Sequence, residues 1–158
     1  MKDKRLYTIQ QGIKYASQYC AKAERTQKEV KSNLLKYGLN ENESDEVIIT
    51  LIQEGFINEQ RYADLFTRSK LHQNAWGKIK IRQMLKIKGI SDNCINNTFK
   101  NIDDLEYEKT LQKLFEKKEK TLKSEKNIFK KKAKIQAYLL SHGFEMEMIY
   151  KTFEENNL

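Results

Sequence analysis

The chain has 158 residues, 33% of them charged, 39% hydrophobic and none proline. Proline breaks helices and marks turns and strand edges, so its absence points to helices joined through glycine and asparagine rather than to a strand-rich fold. No stretch approaches the roughly 20 apolar residues of a membrane span, residues 1–8 carry no signal-like apolar run, and the net charge of +8 permits anionic partners.

Residues 1–12 are polar and basic and are expected to form a loose arm. Helical periodicity is expected from about Ile13, with Ala16, Tyr19, Cys20 and Ala23 on one face. Thr26 and Glu29 form a T-x-x-E capping box. The helix behind it carries Val30, Leu34 and Leu35 and stops at Gly38. Ser44 or Asp45 is the expected cap of a third helix through Val47, Ile48, Leu51 and Ile52, ending at Gly55. The pattern then recurs. Asn58 opens a helix with Tyr62, Ala63 and Phe66, a turn leads to a helix with Ile81 and Leu85 that stops at Gly89, and Ser91 opens one with Ile95 and Phe99. A third round starts near Asp103 or Asp104. It carries Leu111, Leu114, Phe115 and Leu122, then Ile135, Leu139 and Gly143, then Ile149 and Phe153.

Superposing the rounds on Gly38, Gly89 and Gly143 aligns five apolar positions. Val30, Ile81 and Ile135 stand eight residues before the glycine, and Leu34, Leu85 and Leu139 stand four before it. Leu39, Ile90 and Phe144 follow it directly. With three extra residues allowed in the first round, Val47 matches Ile95 and Ile149, and Leu51 matches Phe99 and Phe153. A solenoid would give such a period. Three tandem three-helix units fit better, because each round has three separately capped helices. The expected boundaries are 1–55, 56–103 and 104–158.

Catalytic signatures are missing. His72 and His142 stand in no metal-ligand spacing, there is no phosphate-binding glycine loop, and no serine lies in a nucleophile elbow. No enzyme activity, cofactor or metal is expected. Cys20 and Cys94 have no CxxC context and fit free thiols in a reducing cytoplasm.

Charge is the informative feature. From Leu65 to Ser91 there is no acidic residue, yet the stretch holds Arg68, Lys70, Lys78, Lys80, Arg82, Lys86 and Lys88. The middle unit carries +5, against +1 and +2 for its neighbours. On a helix from Gly77 to Lys88, residues Lys78, Arg82 and Lys86 form a row flanking the inward stripe, with Ile79 and Ile87 beside it. A second acid-free run, Lys126 to Phe144, surrounds the start of the matching helix in the third unit. Cations at helix starts oppose the helix dipole, which favours a binding role over local stability. Solvated lysines remain the plainer reading.

The residues Gly55-Phe56-Ile57-Asn58-Glu59 with Arg61-Tyr62-Ala63 resemble the G-[YF]-[IL]-[ND]-[DE]-x-R-[YF]-A signature of the RecX family. Gly77, Ile81, Leu85 and Lys88-Gly89-Ile90 resemble its second segment, and Leu139, Gly143-Phe144 and Ile149 its last unit. One departure is Lys78, where many members carry proline. The resemblance implies an all-α fold of three tandem three-helix repeats in an elongated, curved arrangement. It further implies a non-enzymatic regulator that binds RecA filaments on single-stranded DNA and curbs ATP hydrolysis and strand exchange. A cytoplasmic location is expected from the lack of a signal-like or membrane-length apolar run, and a monomer from the lack of a long heptad seam. The expected partner-binding residues are Lys78, Arg82 and Lys86, supported by Arg61, Arg68, Lys80 and Lys88. The alternative is a helix-turn-helix protein that binds nucleic acid directly, with Gln83 and Arg82 as the best base-reading candidates.

Overall fold

Three-helix groups recur along the chain, each cornered at the same place. The structure, a computed structural model, describes residues 5–158. In the first group α1 (Ile9–Lys22), α2 (Gln27–Lys36) and α3 (Glu41–Gln53) pack together. In the second are α4 (Glu59–Asn74), α5 (Lys78–Ile87) and α6 (Asp92–Lys100), and in the third α7 (Asp104–Thr121), α8 (Ile128–Ser141) and α9 (Met146–Glu155). The described residues are helices and short connections, with no strand. No helix among them is long and apolar enough to cross a membrane.

The corner between the second and third helices is built identically each time. Gly38, Gly89 and Gly143 adopt positive φ angles of 114°, 83° and 90°. The following residue donates its N–H five residues back: Leu39 to Leu34, Ile90 to Leu85 and Phe144 to Leu139, at 3.1, 3.0 and 3.4 Å. Each glycine N–H reaches three residues back, to Leu35, Lys86 and Leu140. This is the Schellman pair, which satisfies helix-end carbonyls and redirects the chain. Of the aligned apolar residues, all but the half-buried Phe99 are fully buried.

Thr26, Asn58, Ser91 and Asp103 cap their helices as expected, and Thr26 closes its box with Glu29. Three expectations are corrected. The third helix is capped by Asn40, in a box with Glu43, and Ser44 is buried one turn inside it. The loose arm starts helix α1 at Ile9 behind a Thr8 cap, and Leu6 is buried; the rest of that expectation, residues 1–4, lies outside the described residues. Ala23 is an exposed residue just past α1 rather than part of its inward face.

Burial divides differently from the helices. Buried side chains of the first group, with Leu6 and Ile57, form one cluster. Those of the second and third groups form a single continuous cluster from Tyr62 to Phe153. The accessible surface is 10210 Å², against roughly 8300 Å² for a compact globule of this mass, so the groups are strung out rather than balled together.

Candidate partner-binding face

Helix α5 is held at both ends. At its start, the Gly77 N–H donates to the His142 carbonyl at 2.7 Å and the Ile79 N–H to the Gly143 carbonyl at 3.0 Å. The two backbones touch: a Cβ on Gly77 would lie 2.3 Å from the Gly143 carbonyl oxygen. That explains glycine at the head of the segment better than any demand of the helix itself. Beside it, the Tyr107 hydroxyl of α7 accepts from the Lys78 N–H at 2.9 Å and donates to the Glu145 carboxylate. At its far end the Ile87 carbonyl accepts from Lys28 Nζ of α2 at 2.9 Å, and Lys88 lies 3.9 Å from Glu29.

Most of the cations read from the sequence are thus engaged, some by groups of the neighbouring units and some within the second unit itself. Lys78 sits over the Tyr107 ring. Lys80 lies over the Trp76 ring and donates to the Ser141 carbonyl at 3.4 Å. Arg82 donates to Asn96 at 2.7 Å, lies 3.5 Å from Asp92 and covers Phe99. Lys86 shares Asp92 at 3.6 Å. Arg61 pairs with Glu24 and donates to the Gly55 carbonyl, tying α4 to the first group. Arg68 is exposed on the rim of a depression between α4 and α6 and has no ion pair among the described residues. The acid-free stretch ends at Ser91, and the Gly89 corner folds the next acid, Asp92, back against Arg82 and Lys86. Two cations against one carboxylate still leave this patch positive.

The outward face of α5 is Ile79, Gln83, Lys86 and Ile87, all exposed, with Ile79 and Ile87 44% and 63% open. Neither isoleucine is buried against a neighbouring unit. An exposed cation between open isoleucines can form a contact with an apolar centre and a charged rim. On α8, Lys131 and Lys134 pair with Glu119 and Glu125, at 3.6 and 3.2 Å, while Lys130, and Lys126 just ahead of the helix, stay exposed.

The signature residues around α4 are structural. Gly55 turns at φ 80°, Ile57 is buried, Asn58 caps α4, and Tyr62 and Ala63 are core. Burial first, then the Glu29 carboxylate, pushes the Tyr62 hydroxyl up to about 12, and burial and Glu145 raise Tyr107 as well. An unfolded tyrosine ionises near pH 10. The folded chain therefore keeps protons that the unfolded chain loses, and the stability these hydroxyls contribute below pH 10 drains away as pH rises towards 12. Urea midpoints at pH 9, 10 and 11 should fall progressively. Tyr62→Phe should flatten that fall; an unchanged slope would rule Tyr62 out as its source.

Comparison with known proteins places this geometry. Family models described as the second and third three-helix domains of RecX match residues 58–98 and 106–153. A regulatory protein RecX of Clostridium acetobutylicum is 30% identical over 149 residues, covering 90% of this chain and 69% of that protein. One from Clostridium perfringens is 30% identical over 127 residues, covering 80% of this chain and 59% of that one. The chain thus spans about three fifths to two thirds of the length of these relatives. The crystal structure of RecX from Lactobacillus salivarius superposes with a TM-score of 0.85 at 28% identity, over 93% of this chain and 95% of that one.

Proposed function

The chain belongs to the RecX family, and from that premise we propose that it is a non-enzymatic regulator that binds RecA filaments on single-stranded DNA and restrains their ATP hydrolysis and strand exchange. The observation that carries the reading to a surface is α5, anchored at both ends to neighbouring units while its outward face stays open. A helix braced in this way presents Lys86, Ile79 and Ile87 without the entropy cost of ordering them on contact. The isoleucines supply the apolar centre and Lys86 the charge. Lys78, Arg82, Lys80 and Lys88 hold the helix in place and add to its positive field, and Arg61 and Arg68 extend that field along α4. Such a field speeds encounter and weakens with salt. Successive units contacting successive protomers would multiply weak contacts into a durable one.

The test is ATP hydrolysis by RecA on single-stranded DNA. The wild-type chain is expected to slow it and to co-sediment with the filament. Lys86→Glu with Ile87→Asp, both on exposed positions, should raise the concentration needed for half inhibition at least tenfold, while helical content stays unchanged. Adding Lys78→Glu and Arg82→Glu should abolish inhibition. A wild-type chain that neither sediments with filaments nor changes hydrolysis would end the proposal. Full inhibition by the folded double variant would move the contact elsewhere. Direct base reading by α5 is the weaker alternative, because Arg82 is committed to Asn96 and Asp92 and leaves Gln83 alone to read bases.

A further inference from the structure

The first unit carries a groove that the α5 argument does not use. It encloses about 960 Å³ between α1, the second half of α2 and the segment around Leu6. Its floor is one stripe of α1: Gln11, Lys14, Tyr15, Gln18, Tyr19 and Lys22 recur at the three- and four-residue spacing of a single helix face. Asn33 and Tyr37 of α2 and its C-cap form the far wall, and Arg5 and Arg25 close the two ends.

Charge is sorted here with a sharpness that the unit's +1 total hides. Residues 1–55 hold nine cations and eight acids. Four of those cations line the groove, and among the described residues none of the acids does. The acids gather on α3, where Glu41 and Asp45 pair with Lys31. The aromatic side chains are equally concentrated. Tyr15 and Tyr19 lie parallel within 7°, with centroids 6.1 Å apart, and Tyr37 meets Tyr15 edge-on at 5.2 Å. The Arg25 guanidinium lies 3.9 Å over the Tyr19 ring, held by a bond from Nε to the Tyr19 carbonyl. The Tyr15 hydroxyl accepts from Asn33 at 3.3 Å, which sets its ring. Burial, followed by its tyrosine neighbours, raises the Tyr15 hydroxyl and keeps it neutral.

We propose that this groove is a binding site for single-stranded nucleic acid, with bases stacking on the tyrosine cluster and phosphates tracking Lys14, Lys22, Arg5 and Arg25. Aromatic faces accept any base, and flanking cations release counterions from the backbone; together these make a sequence-tolerant single-strand site. A duplex fits poorly, because its bases are already stacked on each other and cannot reach the rings. An acidic peptide would satisfy the cations but leave the rings and the amides of Gln11, Gln18 and Asn33 without matched partners. From Gln11 to Lys22 the stripe runs about 16 Å along the helix, the reach of a few nucleotides.

The test is fluorescence anisotropy with the intact chain and a labelled oligothymidylate of about 20 nucleotides, set against a duplex of equal length. No recombinase is present, so failure here leaves the α5 reading standing, and the converse also holds. The wild-type chain should bind the single strand at least tenfold more tightly than the duplex, with affinity falling as salt rises. Lys14→Glu with Lys22→Glu, both exposed on α1, should weaken binding at least tenfold at unchanged helicity and melting temperature. Tyr19→Ala should weaken it about 5- to 100-fold. Photocross-links from an iodouridine oligonucleotide should fall on Tyr15, Tyr19 or Tyr37. Unchanged affinity in the folded lysine variant, equal binding of duplex and single strand, or cross-links confined to α5 or α8 would each overturn the assignment.

Discussion

Gly143→Ala is expected to lower the unfolding free energy by about 3 kcal/mol or more, the upper range for a single substitution. Two costs add at this position. The backbone holds φ 90°, where a side chain costs on the order of 1–3 kcal/mol. The new Cβ would also sit 2.3 Å from Lys80 Cβ and 2.6 Å from Lys80 N, so α5 itself would have to retreat. Two other glycines separate these costs. Gly55 turns at φ 80° with nothing within 4 Å of its missing Cβ, so Gly55→Ala should show the conformational cost alone. Gly77 has an ordinary φ of −81° but meets the Gly143 carbonyl at 2.3 Å, backbone against backbone, so Gly77→Ala should show the steric cost alone. Urea unfolding followed by circular dichroism ranks the three. If Gly143→Ala proves no worse than Gly55→Ala, the seam between α5 and the third unit is looser than its hydrogen bonds imply.

The second large effect concerns cooperativity. Phe115 is fully buried and packs edge-on against Phe153 at 6.0 Å. Phe115→Ala should cost about 3–5 kcal/mol, through lost burial and the cavity left behind. Because the buried cluster runs unbroken from α4 to α9, the loss should fall on both later units together, while α1–α3 rests on its own cluster. Hydrogen exchange of the variant should show α4 to α9 opening as one block with α1–α3 still protected. Leu34→Ala should do the reverse. Opening of α7–α9 alone, with α4–α6 protected, would mean three independent units rather than two cooperative blocks.

What could be read in advance follows the range of the forces involved. Thr26 with Glu29, Asn58, Ser91 and Asp103 act within three or four residues, so their caps were legible. The repeated core was legible because three copies of Val30, Leu34 and Leu39 report on one another. Asn40 was passed over because Ser44 and Asp45 look equally good locally, although the Asn40–Glu43 box was there to be found. The cation row was readable only as composition. That Asp92 swings back onto Arg82 and Lys86 depends on the Gly89 corner, and that Lys78 and Lys80 lean on Tyr107 and Trp76 depends on how the second and third units meet. The tyrosine groove was missed for another reason: Tyr19 lies at core spacing with Ala16, and periodicity alone does not distinguish a ring facing the core from one turned into a groove.

The Leu6 N–H donates to the Tyr37 carbonyl, the residue before Gly38, at 2.6 Å. The Gly77 N–H makes the same bond to His142, the residue before Gly143. A short non-helical segment therefore meets the corner of the first unit where a helix start meets that of the third. The first and third corners work as sockets of common gauge, and Leu6 is a blank plug fitted to the first. This makes the units interchangeable parts: a graft that replaced the plug with a copy of Trp76-Gly77 and its helix would have a seat already cut for it, and the chain could be lengthened by whole units without redesigning the ones it has.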